Sequence, residues 1–333
     1  MEIRMTLDWF ESAEVFKKKN DKYLCNTVCD ILEHFDIPIP KEFSENIDVK
    51  PLEIPGIYKV LDDYEGYSGF RFFMDGIQRT VLWQYYNFNG TQIPIYLHFS
   101  GAAIMERVKA DLFRPFDEIY ARKILVPSFL FEELQELDDV VDSGAGKYWD
   151  LNELRVRAKI KSKMLRQDLE LELVNRFNKN SDIPRLLIKD GNILGTARKN
   201  NVLGLIKTHQ TLYLQKNFPR IQKKVWNMDE FYRSSVFTIR HKDKEGWKNR
   251  TNSFYLRIHP PLHPEMGLIR IEYNNAHNSA NEISSWLIAE RAIIAACNRW
   301  DRQIYPIQMC EDYLRTQLPS FNFIKAKINS MGM

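Results

Sequence analysis

The sequence predicts an α/β or α+β protein: one mixed sheet flanked by helices, with an N-terminal helical segment and an insertion. Three observations predict it. Strand-like and helical runs are interspersed along the chain instead of being segregated into blocks. Three consecutive strand-like runs, 70–75, 80–88 and 92–100, are joined by short turns as a meander. A long helical stripe over 150–178 then separates this meander from further strand-like runs at 186–190 and 202–207.

Taken in order, residues 8–36 read as helix, because Trp9, Phe10, Val15 and Phe16, then Leu24, Val28, Ile31 and Leu32 form a broken helical stripe. Pro38, Pro40, Pro51 and Pro55 punctuate an extended lead-in, and nothing in 1–64 carries a chemical signature. Phe70 to Met74 have the β-propensity of a buried strand that delivers Asp75 into Gly76, a residue that permits a tight strand exit. The next run, Thr80 to Phe88, closes on Asn89-Gly90, a strong hairpin signal. Gln92 to Ser100 ends at Gly101, with Pro94 placing its start at an edge or bulge. Residues 102–150, with apolar Leu125 to Phe131, acidic Glu132 to Asp142 and a Ser143-Gly144-Ala145-Gly146 break, read as an insertion.

The helix that follows carries Val156, Ile160, Met164 or Leu165, Leu169, Leu173 and Phe177 at intervals of three to four residues. Beyond the runs at 186–190 and 202–207, three more strands are expected at 235–240, 253–258 and 268–273. A long helix over Ile283 to Asn298 and a shorter one opened by Tyr305-Pro306 complete the order, leaving 319–333 as a tail.

The chain has 333 residues, 44% of them hydrophobic and 13% aromatic, enough for a substantial core. Its formal net charge is only +3 although 27% of residues are charged, so a nucleic-acid site must arise from local clustering. Four Cys in this length make no disulfide scaffold. Cys25 and Cys29 share one face of the expected first helix, as two buried thiols or as half of a metal site. No apolar run approaches the ~18 residues of a membrane span, and the first residues lack the apolar core of a signal peptide. The expected location is cytoplasmic.

The chemistry gathers around Asp75. A second apolar strand ends in Asp190-Gly191, and two carboxylates at adjacent strand ends can share a divalent ion. Carboxylates without His/Cys clusters suit a hard ion better than zinc. A third acid is expected from the preceding helix, where Glu170 and Glu172 flank the apolar stripe on opposite sides. Arg166 stands one turn before Glu170, a favourable helical pair. Lys207, closing the strand at 202–207, could meet phosphate or transition-state charge, and His209, if it shares that face, could orient water or move a proton; taken alone they read as a surface cation and a hydrogen-bonded structural residue. Arg155, Lys159 and Arg166 share a helix face able to track a phosphate backbone or simply to face solvent.

This order of elements resembles the NurA nuclease family. The resemblance is carried by Phe73-Met74-Asp75-Gly76, Leu187-Ile188-Lys189-Asp190-Gly191 and Gly204-Leu205-Ile206-Lys207-Thr208-His209. Phe254 to Ile258, Gly267 to Glu272 and Tyr305-Pro306 add late support, so that it spans 65–318. It implies an RNase H-like core and a metal site of aspartates and a glutamate loaded with Mn²⁺ or Mg²⁺. It also implies cleavage of DNA as a single-strand endonuclease and 5′ to 3′ exonuclease, and a homodimer docked on a HerA-like hexameric ATPase in end resection or phage defence. Asp75 and Asp190 match the motif aspartates, Glu170 (or Glu172) the helical acid, and Lys207 the motif lysine. The chain departs from the family at Ile77, where Ser is commoner. It departs again at Cys310-Glu311-Asp312-Tyr313, which leaves the late site position unassigned, with Asp312 and Tyr313 the nearest candidates. A non-catalytic DNA-binding or adaptor subunit of such a translocase is the alternative, and an RNase H-like enzyme acting on RNA a third reading.

Overall fold

A computed structural model describes residues 9–25, 30–31, 47–60, 68–137, 139–144, 150–179, 186–193, 201–209, 211–243, 246–274, 279–292 and 300–332. They form an α/β structure on one large mixed sheet flanked by helices, as expected. The first helix, α1 (Glu11–Asn20), is about a third as long as its apolar stripe suggested. It gives way to two short strands, β1 (Leu24–Cys25) and β2 (Asp30–Ile31), so Cys25 is extended rather than helical. Cys29, Pro38 and Pro40 lie outside the described residues. The extended lead-in supplies β3 (Ile47–Pro51) and β4 (Ile57–Lys59).

The meander is β5 (Phe72–Phe88), β6 (Thr91–Lys109) and β7 (Leu112–Val126), all antiparallel neighbours. Its first two expected strands are one: Asp75-Gly76 is not a strand exit but lies mid-strand, paired with Ala103 and Ala102. The hairpin at Asn89-Gly90 stands where expected, with φ of 49° and 81°, both in the left-handed region that such tight turns use. The expected insertion is also corrected, because 102–126 is sheet. β6 runs on past Gly101, β7 returns beside it, and among the described residues α2 (Ser128–Leu134) and β8 (Val140–Asp142) follow before the next helix. The far half of β5 gains β1 and β2 as partners, Leu24 opposite Tyr86 and Ile31 opposite Val81. Strand groups left unpaired there would be costly, which is why the polypeptide after α1 is extended.

The helix α3 (Leu151–Lys179) spans the predicted range but buries a different face in its first half. Leu154, Ala158 and Ser162 turn inward while Ile160 and Met164 are exposed. Small side chains let the helix lie close on the sheet, which apolar spacing alone does not register. The chain then adds β9 (Leu187–Asp190) and β10 (Val202–Ile206), parallel to each other and to the start of β5. A short helix, α4 (Pro219–Trp226), precedes β11 (Tyr232–Ser234), β12 (Phe237–Asp243), β13 (Gly246–Arg257) and β14 (Leu268–Tyr273). The principal strand order is β3-β12-β13-β14-β10-β9-β5-β6-β7-β8.

Three helices close the chain. α5 (Ala280–Ala289) is shorter than the expected 283–298: Arg291 bridges Ile304 as extended chain, and 293–299 lie outside the described residues. α6 (Tyr305–Gln317) opens at Tyr305-Pro306, with Pro in the first turn where its missing N–H costs nothing. The expected tail is a helix, α7 (Phe321–Gly332), whose Ile324 and Ile328 pack with Phe10, Phe16 and Trp83 over the far half of the meander. The α3 face of the sheet is sealed by Phe72, Met74, Leu173 and Phe177, the α5–α6 face by Phe73, Ile188, Leu205, Leu287 and Ile307. No helix among the described residues is long and apolar enough to cross a membrane.

Candidate metal and phosphate site

The principal cleft lies where the sheet steps. β9 ends at Asp190 and β10 at Ile206, while β5 pairs with β9 only as far as Met74↔Lys189 and continues to Phe88. Loss of two neighbouring strands opens about 1060 Å³ between α3 on one side of the sheet and α6 on the other. Crevices beyond the carboxyl ends of parallel strands are the usual ligand sites of α/β sheets.

Strand alternation sorts the side chains around this step. Phe73 and Ile188 face α5 and α6, so Asp75 and Asp190, two residues on, project to that same face from neighbouring strands. Leu205 pairs with Asp190, and Lys207, two residues further, reaches back so that its Nζ stands 2.9 Å from Asp190 Oδ1. Asp75 is only 6% exposed, and its Oδ1 accepts from the Gly76 N–H at 2.7 Å. Burial holds its carboxyl well above the usual range. The charges of Asp190, Glu170 and Glu311 push it the same way, against Lys207.

Gly76 and Lys189 face the other way, towards α3, and there they meet Glu170. Lys189 Nζ stands 2.5 Å from Glu170 Oε2, and Arg166 donates to Oε1 and to the Gly76 carbonyl, the latter at 3.2 Å. A Cβ on Gly76 would stand 2.6 Å from Glu170 Oε1 and 3.0 Å from its Cγ. Gly76 therefore serves close approach, not a turn; Gly191, at φ 83°, is the glycine that turns the chain after its aspartate. Gly76→Ala is expected to push Glu170 off its two cations and cost about 1–3 kcal/mol. Urea unfolding would show it, and an unchanged midpoint would contradict this packing.

Several sequence expectations can now be placed. Glu170 lines the cleft and Glu172 does not; Glu172 is exposed and pairs with Arg176 at 2.5 Å. His209 lies away from the cleft lining, correcting its expected partnership with Lys207. Its Nε2 lies 2.9 Å from the Leu268 carbonyl, its ring packs on Trp226 and Tyr255, and burial holds its pKa below the usual value. β10 stops at Ile206, so the two-residue alternation does not extend to 209. His209→Ala is expected to cost about 1–3 kcal/mol of stability while cleavage per folded molecule stays at the parent level. Loss of cleavage by a folded variant would restore it to the site.

Of the expected phosphate-tracking face, Arg166 lines the cleft but Arg155 and Lys159 do not; Lys163 takes their place. Arg155 lies within electrostatic reach of Tyr96 on β6. At the late position Asp312 lines the cleft and accepts from Gln308 at 2.9 Å, whereas Tyr313 turns away and donates to Glu118. Sequence reading missed Glu311, which lines the cleft one residue after Cys310. The Cys310 thiol donates to the Phe73 carbonyl at 3.3 Å and is pushed up by burial and the charge of Asp75, which fixes α6 against β5 beside that aspartate. It also missed Lys189, whose partner depends on how α3 crosses the sheet.

As the side chains stand, no three His, Cys, Asp or Glu among the described residues are grouped to hold a metal ion. Glu170 has both oxygens engaged by cations and Asp190 has one. The donor chemistry on the α6 side still fits a hard divalent cation. Asp75, Asp190 and Glu311 are oxygen donors there, and Asp75 is a buried carboxylate crowded by its own kind that a cation would relieve. No family model matches the sequence, and no curated protein matches it.

Proposed function

We propose that this chain is a divalent-metal-dependent nuclease that hydrolyses phosphodiester bonds in DNA. The observation that carries the proposal is the placing of Asp75 and Asp190 on one face of adjacent parallel strands at the step in the sheet, with Lys207 beside them in the cleft lining and ion-paired to Asp190. Asp75 and Asp190 would hold Mn²⁺ or Mg²⁺, with Glu311 beside them and Glu170 as the helical acid once Lys189 or Arg166 releases it. The bound ion would lower the pKa of a water and neutralise phosphate charge. Lys207 would meet the developing charge on the phosphate, and Asp75, excluded from bulk water, would keep its donor oxygen in place.

The RNase H-like and NurA-like readings are part of the same proposal. They are supported by the order β7-β6-β5-β9-β10, an antiparallel meander extended from its first strand by two parallel ones, with α3 between the two parts. The position of one acid in each of β5, α3 and β9 agrees with that resemblance. A homodimer docked on a HerA-like hexameric ATPase follows from the resemblance alone. The non-catalytic adaptor reading draws on the ion pairs that engage Glu170 and Asp190. One assay separates them: a 5′-labelled single-stranded DNA incubated with the full chain in Mn²⁺, in Mg²⁺ and in EDTA, beside an RNA strand of the same sequence. Metal-dependent DNA cleavage is expected. Its absence supports the adaptor, and cleavage of RNA alone supports the ribonuclease.

A further inference from the structure

The cleft is lined, among the described residues, by seven Lys and Arg side chains against five carboxylates, so its walls favour a polyanion. Small-molecule pockets are predominantly apolar, and this one is not. Most of the cations are committed inside it: Lys189 and Arg166 to Glu170, Lys207 to Asp190, and Arg270 to the buried Glu272 at 2.5 Å. Two face outward from the helices on opposite faces of the sheet. Lys163 on α3 is exposed and forms no ion pair among the described residues. Arg315 on α6 is 60% exposed, shares Glu311 at 2.6 Å, and lies within electrostatic reach of Asp75.

Only one aromatic ring among the described residues lines the cleft. It is Tyr213, and the Arg270 guanidinium covers it at 4.5 Å from the ring centroid. Among the described residues no ring is left as the stacking platform on which single-strand binders seat bases.

We propose that Lys163 and Arg315 are two rails that grip the sugar–phosphate backbone of a nucleic-acid strand on either side of the acids, and that the cleft holds this strand without reading its bases. This rests on the nuclease reading for its substrate class and extends it to Lys163, from the basic run of the helix, and to Arg315, which the sequence did not single out. Contacts of this kind are electrostatic and sequence-independent, and each contributes to the salt dependence of binding.

The test measures binding by fluorescence anisotropy, with the full chain carrying Asp75→Asn to suppress cleavage, on a labelled 20-mer of thymidine and on a mixed-sequence 20-mer. Lys163→Glu and Arg315→Glu are each expected to weaken binding about tenfold at low salt and to lower the salt slope by about 1. Lys163→Arg is expected to bind as the parent does, and the two oligonucleotides to bind alike. Parent-like affinity and slope in both charge reversals would overturn the proposal, as would a tenfold or greater preference between the oligonucleotides, on the order of one well-read base. Outcomes for the nuclease reading are separate. Rails that bind as expected in a chain that never cuts DNA would sink catalysis and leave the rails standing. A chain that cuts while both charge reversals bind and cut normally would do the reverse.

Discussion

Asp75→Asn is expected to abolish metal-dependent cleavage and, in the same protein, to raise the melting temperature of the metal-free chain at neutral pH. Loss of a primary metal ligand removes several kcal/mol of transition-state stabilisation, about 10³-fold or more in rate. The stability gain follows from burial. The folded state raises the Asp75 pKa well above its ordinary value of 3.8, chiefly by desolvation and then by the charge of Asp190. A carboxyl raised in this way binds its proton more tightly folded than unfolded. Its contribution to stability is present below the ordinary value and is lost as pH climbs through the raised one. Asparagine keeps an oxygen for the Gly76 N–H and removes the charge. The gain should be about 2–4 °C for each kcal/mol recovered, and the variant's melting temperature should fall less steeply than the parent's as pH rises. A variant that melts lower than the parent at neutral pH, with the parent's pH profile, would contradict the electrostatic description of the site.

Glu170→Ala is expected to be among the most damaging substitutions to stability, at about 3–5 kcal/mol by urea denaturation. Glu170 and Lys189 are 3% and 9% exposed as side chains, and Arg166 closes on the same carboxylate. Removing the acid leaves Lys189 charged at a site with little water, its remaining partners being the carbonyls of Asp190 and Asn192 at 3.2 and 3.4 Å. Adding Lys189→Met is expected to return a good part of the loss, since an apolar side chain of similar length carries no charge to desolvate. A loss below about 1 kcal/mol for the single variant would place the pair in the class of solvated surface bridges. Stability must be measured with activity here, because an unfolded Glu170→Ala chain says nothing about metal.

The two aspartates were legible in the sequence because their signal is local: an apolar β run, then Asp, then Gly, written twice. What the glycine does was not. Gly76 looks like a strand exit, but β6 pairs with β5 straight through it and Glu170 lies over it, and both facts come from distant residues. The first half of α3 reads as the stripe of Val156, Ile160 and Met164, but sheet contact selects the face bearing Leu154, Ala158 and Ser162. Lys189 alternates away from Asp190, so its neighbour is set by the helix crossing and not by the strand. His209 was assigned by continuing a strand that ends at Ile206. The extended chain after α1 owes its conformation to the unpaired edge of β5, far downstream in the sequence.

The most direct test of the site is calorimetric titration of Mn²⁺ into the full chain, its Asp75→Asn variant and its Asp190→Asn variant at neutral pH. The paired aspartates predict saturable binding to the parent and its loss in both variants, with each variant still folded by circular dichroism. Undiminished Mn²⁺ binding by folded Asp75→Asn would contradict the assignment of the step in the sheet as the metal site.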